Sequence, residues 1–218
     1  MNVRATWARN VSGQMIGVHV SDFGVENQHE DLIGSIRVFT NRTGDRNHGT
    51  ATMGAIRANN NFGVTGIAFN CIANFRPGDI VAINNQILVA SGILVPMVHS
   101  VAFWSRINTL VRTGAVVVFA GGNGGHNLRQ LGQFNGLGDS GGIMAGACSS
   151  QNGQRLSFSN FNLYLSANSW GENVTTTGYG GLQNPPPVSL TRLYRNLQWH
   201  LQRNTAINGS HSAYSVLH

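Results

Sequence analysis

From about residue 14 to residue 148, short continuously apolar runs alternate with stretches of helical period, and this alternation limits the available folds more than any other feature. Met15–Val20, Phe69–Phe75, Ala115–Ala120 and Gly142–Ala147 read as buried strands. His48–Ala58 reads as a helix, and Asn84–Ala90 as a short helix followed by the apolar stretch Ile93–Val98. Val101, Trp104, Ile107, Leu110 and Val111 then recur at helical spacing. Strands buried on both faces and interleaved with helices predict an α/β fold with a mostly parallel, doubly wound sheet and helices on both faces. Sheets of this kind gather their ligands beyond the carboxyl ends of the strands. Asp22 and Asn123 both fall at such ends.

The pattern decays after about residue 182. Pro185-Pro186-Pro187 can enter neither a central strand nor a helix interior. Leu190–Leu201 is apolar without a clean period, and no internal repeat is visible. The expected organisation is one domain over residues 1–182, its C-terminal part incomplete, and an irregular tail over 183–218. A chain of 218 residues can bury a sizeable core as one domain.

Charge excludes more than it suggests. The formal net charge is +6, yet all fourteen basic residues are Arg and they are scattered singly rather than in a stripe. After Glu172 there is no acidic residue while Arg192, Arg195 and Arg203 follow, so half the net charge comes from the tail. Without a recognisable module, no nucleic-acid partner is expected. No apolar run approaches membrane-spanning length, and the N-terminus lacks the basic, apolar and small-residue order of a signal peptide. Cys71 and Cys148 sit among apolar residues; two buried thiols or one disulfide both fit that context.

Two short stretches look built for one chemistry. Met15-Ile16-Gly17-Val18-His19-Val20-Ser21-Asp22-Phe23-Gly24-Val25 is an apolar run ending in an acid and a glycine turn. His48-Gly49-Thr50-Ala51-Thr52-Met53-Gly54-Ala55-Ile56 is a histidine opening a small-residue helix. A hydroxyl becomes nucleophilic at neutral pH through a His base whose tautomer is held by a buried carboxylate. Asp22 is the candidate carboxylate and His48 the candidate base. Gly49 and Thr50 allow close approach of the chain; Ala51, Gly54 and Ala55 allow tight helix packing. Taken singly, Asp22 could cap a turn and His48 a helix. Val116-Val117-Val118-Phe119-Ala120-Gly121-Gly122-Asn123-Gly124-Gly125 ends a strand on an amide, a candidate donor to a developing oxyanion, although Asn in a glycine loop also suits a plain turn.

In the order Asp, His, Asn, these three stretches resemble the subtilisin-like serine proteases (subtilases). Arg155-Leu156-Ser157-Phe158-Ser159-Asn160-Phe161 and Ser169-Trp170-Gly171-Glu172-Asn173-Val174-Thr175-Thr176-Thr177-Gly178 extend the resemblance over roughly residues 10–182. It implies a subtilisin-like fold and peptide-bond hydrolysis through an Asp-His-Ser triad, with catalytic roles for Asp22, His48 and Asn123. The family's substrate-binding strand would pass through Ser91 and Gly92. A polypeptide substrate, a monomer, an exported enzyme and no membrane partner are implied as well. No cofactor is expected; family members often bind calcium, but the eight acidic residues do not cluster into an assignable site. Gly138-Asp139-Ser140-Gly141-Gly142 mimics the nucleophile motif of the chymotrypsin-like proteases, whose all-β pattern and histidine context are missing, so Ser140 is expected to be structural.

The family's own nucleophile motif, Gly-Thr-Ser-x-Ala-x-Pro, occurs nowhere in the chain. Back-translation of residues 193–206 with free third bases, shifted forward by one base, can spell Tyr-Thr-Ala-Thr-Phe-Ser-Gly-Thr-Ser-Ser-Ala-Thr-Pro. The Gly codon is forced by Trp199 followed by His200. A one-base slip after about Gly180 would therefore make the tail out-of-frame peptide. The rival is a genuine tail on a non-catalytic, peptide-binding relative.

Overall fold

Five strands form one parallel sheet in the order β1 (Val18–Ser21), β2 (Ile80–Ile83), β5 (Val116–Ala120), β6 (Ile143–Cys148) and β7 (Ala167–Trp170). The structure is a computed structural model that describes residues 3–40, 45–60, 62–72, 76–131, 134–162, 164–178, 193–194 and 211–212. Among these, a hairpin of β3 (Asn85–Leu88) and β4 (Leu94–Pro96) leaves the sheet directly after β2. A first helix, α1 (Val3–Trp7), precedes β1; α2 (Asn47–Arg57) follows it, and α3 (Val101–Arg112) precedes β5. This is the mostly parallel α/β architecture that the apolar runs imply.

Burial explains why the sequence settles there. In β5, Val117 and Phe119 join Ile107 of α3, Val98, Leu128 and Met144 of β6 in one cluster. Ile107 is 1% exposed and sits beside Trp104, Leu110 and Val111, the same stripe that predicts the helix. The alternate residues Val118 and Ala120 are also buried, so β5 is enclosed on both faces and reads as a continuous apolar run. Cys71 and Cys148 are both buried free thiols; burial pushes the Cys71 thiol up.

Two expected elements take another form. Residues 85–88 are extended, not helical: Gln86, Ile87 and Leu88 pair with Pro96, Val95 and Leu94, and Gly92 turns the chain at φ +79°. A short apolar run carries too little period to separate strand from helix, and here the turn decided it. In the stretch expected as strand 69–75, Phe69 and Asn70 lie in a turn and Ile72 alone bridges Gly17; residues 73–75 lie outside the described set. Ile72 and Ile80 thus flank β1 with only residues 73–79 between them, shorter than the dozen or so a helical crossover needs. A cavity of about 350 Å³, bounded by Val18, Val20, Ile36, Val38, Met53 and Ile72, follows that edge of β1.

The tail over residues 183–218 lies outside the described residues, save two backbone pairings. Leu193–Tyr194 (β9) pairs with Thr176–Thr177 (β8), and His211–Ser212 (β10) pairs with β3.

Candidate active site

Asp22 is the first residue past the end of β1, and the strand register brings it level with Asn84, the first residue past β2. Its side chain is 7% exposed and every oxygen has a partner. Oδ2 accepts from His48 Nδ1 at 2.8 Å and from Asn84 Nδ2 at 3.1 Å, while Oδ1 accepts from the backbone N–H of Phe23 at 2.7 Å. A carboxylate only accepts, so Nδ1 of His48 carries a proton, and in the neutral imidazole the lone pair is therefore on Nε2. That is the tautomer a general base needs.

His48 reaches Asp22 because α2 starts beside it. Asp45 accepts the N–H of Asn47 at 2.8 Å, which fixes the entry to the helix. Thr50 Oγ1 donates to Arg46 O at 2.7 Å and accepts the Glu26 N–H at 2.8 Å, tying the chain after Asp22 to the first turn. Thr177 Oγ1 donates to Thr50 O at 2.6 Å, and Thr176 Oγ1 donates to Ala51 O. Gly49 makes the approach feasible: a Cβ there would lie 2.0 Å from Gly24 O and 3.4 Å from Asp22 Cγ. Gly49→Ala is expected to destabilise the protein by about 1–3 kcal/mol through forced backbone movement. Urea unfolding of the two proteins measures this; an unchanged midpoint and slope would contradict it.

Asn123 lies three residues past β5, two strands from β1, so neighbouring strand spacings place the two strand ends about 10 Å apart. The loop that carries it is held by two buried amides. Asn160 is 0% exposed; its Nδ2 donates to Gly121 O and Leu94 O at 2.8 Å each, and its Oδ1 accepts from the His126 N–H at 2.9 Å. Gln86 Oε1 accepts the backbone N–H of Asn123 at 2.8 Å. A Cβ on Gly124 would lie 2.5 Å from Leu94 O, so this loop also depends on a missing side chain.

Ser91 and Gly92 are exposed in the β3–β4 turn. Among the described residues, no hydrogen bond ties them to Asp22, His48 or Asn123. Ser140 is 4% exposed and its Oγ accepts the Gly142 N–H at 3.4 Å. Its carbonyl accepts from Asn108 Nδ2 at 3.2 Å. Asn84 and Gln86, and the clamping role of Asn160, were not read from sequence. A usable signal existed for the first two: polar residues between Ile83 and Ile87 must find partners if that run is buried.

One further carboxylate is buried away from the Asp22–His48 pair. The Asp31 side chain is 0% exposed, and among the described residues Oδ2 takes no hydrogen bond. Oδ1 accepts the Asn60 N–H at 3.3 Å, and Asn60 Oδ1 accepts the Phe62 N–H at 2.8 Å. Burial raises the Asp31 carboxyl above the usual carboxylate range, against the opposing pull of His29. Asp79 contrasts with it: burial alone would raise its carboxyl, but the N–H groups of Gly17 and Arg76, together with His19, hold it low.

No protein-family model matches the sequence, and no curated protein sequence matches it. Solved structures do match in shape. The prenylagaramide maturation protease PagA matches with a TM-score of 0.61 at 18% identity, covering 91% of this chain and 75% of that one. MycP1 with its N-terminal propeptide removed gives 0.56 at 21% identity, over 81% of this chain and 71% of its own. A cold-adapted subtilisin-like serine proteinase gives 0.55 at 19%, over 79% and 68%. With its five-stranded parallel sheet and these neighbours, the chain has the fold of the subtilisin-like serine proteases.

Proposed function

We propose that the gene specifies a subtilisin-like serine endopeptidase and that the chain as written is its inactive form, because the nucleophile serine is missing. The observation that carries this reading is the 2.8 Å contact from His48 Nδ1 to the buried Asp22 carboxylate at the carboxyl edge of the sheet. In the complete enzyme, serine attacks the scissile carbonyl and His48 takes its proton, then returns it to the leaving amine. Asp22 orients the imidazole and steadies its charged form, and Asn123 donates to the oxyanion. The substrate is an extended polypeptide, and the protein is an exported monomer. Residues 1–182 belong to the peptidase domain, and residues from about 183 are out-of-frame peptide.

Sequencing the coding DNA across codons 180–210 tests the slip directly. A one-base correction that restores Gly-Thr-Ser-x-Ala-x-Pro supports it; an intact frame overturns it. An intact frame favours the second reading, a non-catalytic peptide binder, which the missing serine motif alone supports. That protein would bind extended peptides without turning them over. In a frame-corrected chain, Asn123→Ala is expected to lower kcat by roughly 10²–10³, the loss that follows removal of one such donor in a subtilisin. Peptide hydrolysis measured at saturating substrate reads the difference.

Calcium is proposed at Asp31 and the Asn60 loop. Free calcium at about a hundred times its Kd is expected to stabilise the protein by about 2.7 kcal/mol, and Asp31→Asn to abolish that response. The pH dependence of the ion-free protein has a definite sign. Because burial raises the folded-state value of Asp31, its contribution is complete below the unfolded value of about 3.9 and is lost as pH rises through the folded one. In chelator, Asp31→Asn is therefore expected to gain stability relative to the parent at pH 7. Urea midpoints at pH 5 and 7, with and without calcium, measure both effects.

A further inference from the structure

We propose that Asn84 and Gln86 form a pair of positioning residues that sets the spacing between the Asp22–His48 unit and the Asn123 loop. The proposal rests on the peptidase reading above and adds to it the part of this chain that holds the two halves of the site together. Asn84 and Gln86 lie two residues apart on an extended segment joining β2 to β3, so their side chains leave the same face. They are 2% and 1% exposed, while Asn85 between them is half-buried and pairs outward with Ser21 Oγ. Asn84 Nδ2 donates to Asp22 Oδ2, and Gln86 Oε1 accepts the Asn123 N–H. One amide therefore grips the carboxylate end of the site and the other grips the oxyanion end.

The chemical senses of the two bonds suit their places. Asp22 can only accept, and Asn84 presents a donor. The Asn123 N–H is a donor, and Gln86 presents an acceptor. Fixing that backbone restrains where the Asn123 side chain can point, and oxyanion stabilisation depends on a donor already in place when charge develops. The connection is short and stiff: two peptide units, with the Asn84 N–H also bonded to Ser21 O at 3.1 Å. A misplacement at either end would alter the distance across the site.

The test uses the chain itself and needs no hydrolysis, so its failure differs from failure of the peptidase reading. Amide hydrogen exchange and the His48 imidazole titration are followed by NMR in the parent and in variants. Gln86→Met removes the acceptor at similar size and is expected to speed exchange at the Asn123 amide about tenfold or more, beyond any change at Val118–Ala120. Gln86→Glu keeps an acceptor oxygen and is expected to restore protection. Asn84→Leu removes the donor and leaves Asp22 more negative toward His48, so the imidazole titration is expected to move upward by about half a unit or more. Should that variant not fold, Asn84→Ala also removes the donor and is expected to move it the same way. A merely structural role would alter exchange across the whole sheet together and leave the His48 titration in place. Unchanged Asn123 exchange in Gln86→Met, or an unchanged titration in the Asn84 variant, overturns the proposal.

Discussion

Correcting the reading frame by one base is expected to turn an inert chain into a peptidase, with kcat rising by about 10⁶. The size follows from measured subtilisin behaviour, where loss of the serine or of the histidine alone costs about as much as loss of the whole triad, roughly 2 × 10⁶. The chain as written would retain at most the 10³–10⁴ over water that an oxyanion donor and substrate binding can supply. His48→Ala in the corrected chain is expected to abolish the gain, because His48 is the base that takes the serine proton. Hydrolysis of a chromogenic peptide by the two chains and the His48→Ala variant measures this. Turnover by the corrected chain that survives His48→Ala would mean that another group performs the chemistry.

The contrast between what sequence revealed and what it concealed has a physical pattern. β5 and β6 were legible because strands buried on both faces must be continuously apolar, whereas β1, Val-His-Val-Ser, is half-buried and exposed at its end. Asp22 and His48 were legible because each is a polar residue abutting small or apolar neighbours, and the structure joins them at 2.8 Å. The Asn84–Leu88 segment was not legible. Its apolar residues are too few to fix a period, and its amides acquire meaning only through partners 62 and 37 residues away in the chain. Asn160 shows the same thing: its grip on Leu94 O spans 66 residues, and backbone carbonyls leave no mark in the sequence.

Asp22→Asn in the corrected chain is expected to lower kcat by about 10⁴, the loss seen when a triad aspartate is replaced by its amide. The hydrogen bonds around Asp22 give this change an added cost in stability. Oδ2 accepts two donors, from His48 and Asn84, and Oδ1 accepts a third, from the Phe23 N–H. An amide has one oxygen and one NH₂. If the NH₂ takes the Oδ2 place, it opposes the Asn84 donor and forces His48 Nδ1 to accept, which protonates Nε2 and removes the base. If it takes the Oδ1 place, the tautomer survives but the NH₂ meets the Phe23 N–H. Either orientation leaves buried donors facing each other, at a cost of about 1–3 kcal/mol. The two arrangements differ in kinetics: the first loses kcat by the full 10⁴, the second mainly loses stability. Paired measurement of kcat and the urea midpoint separates them, and a variant with both near the parent's values would show that Asp22 does not orient the base.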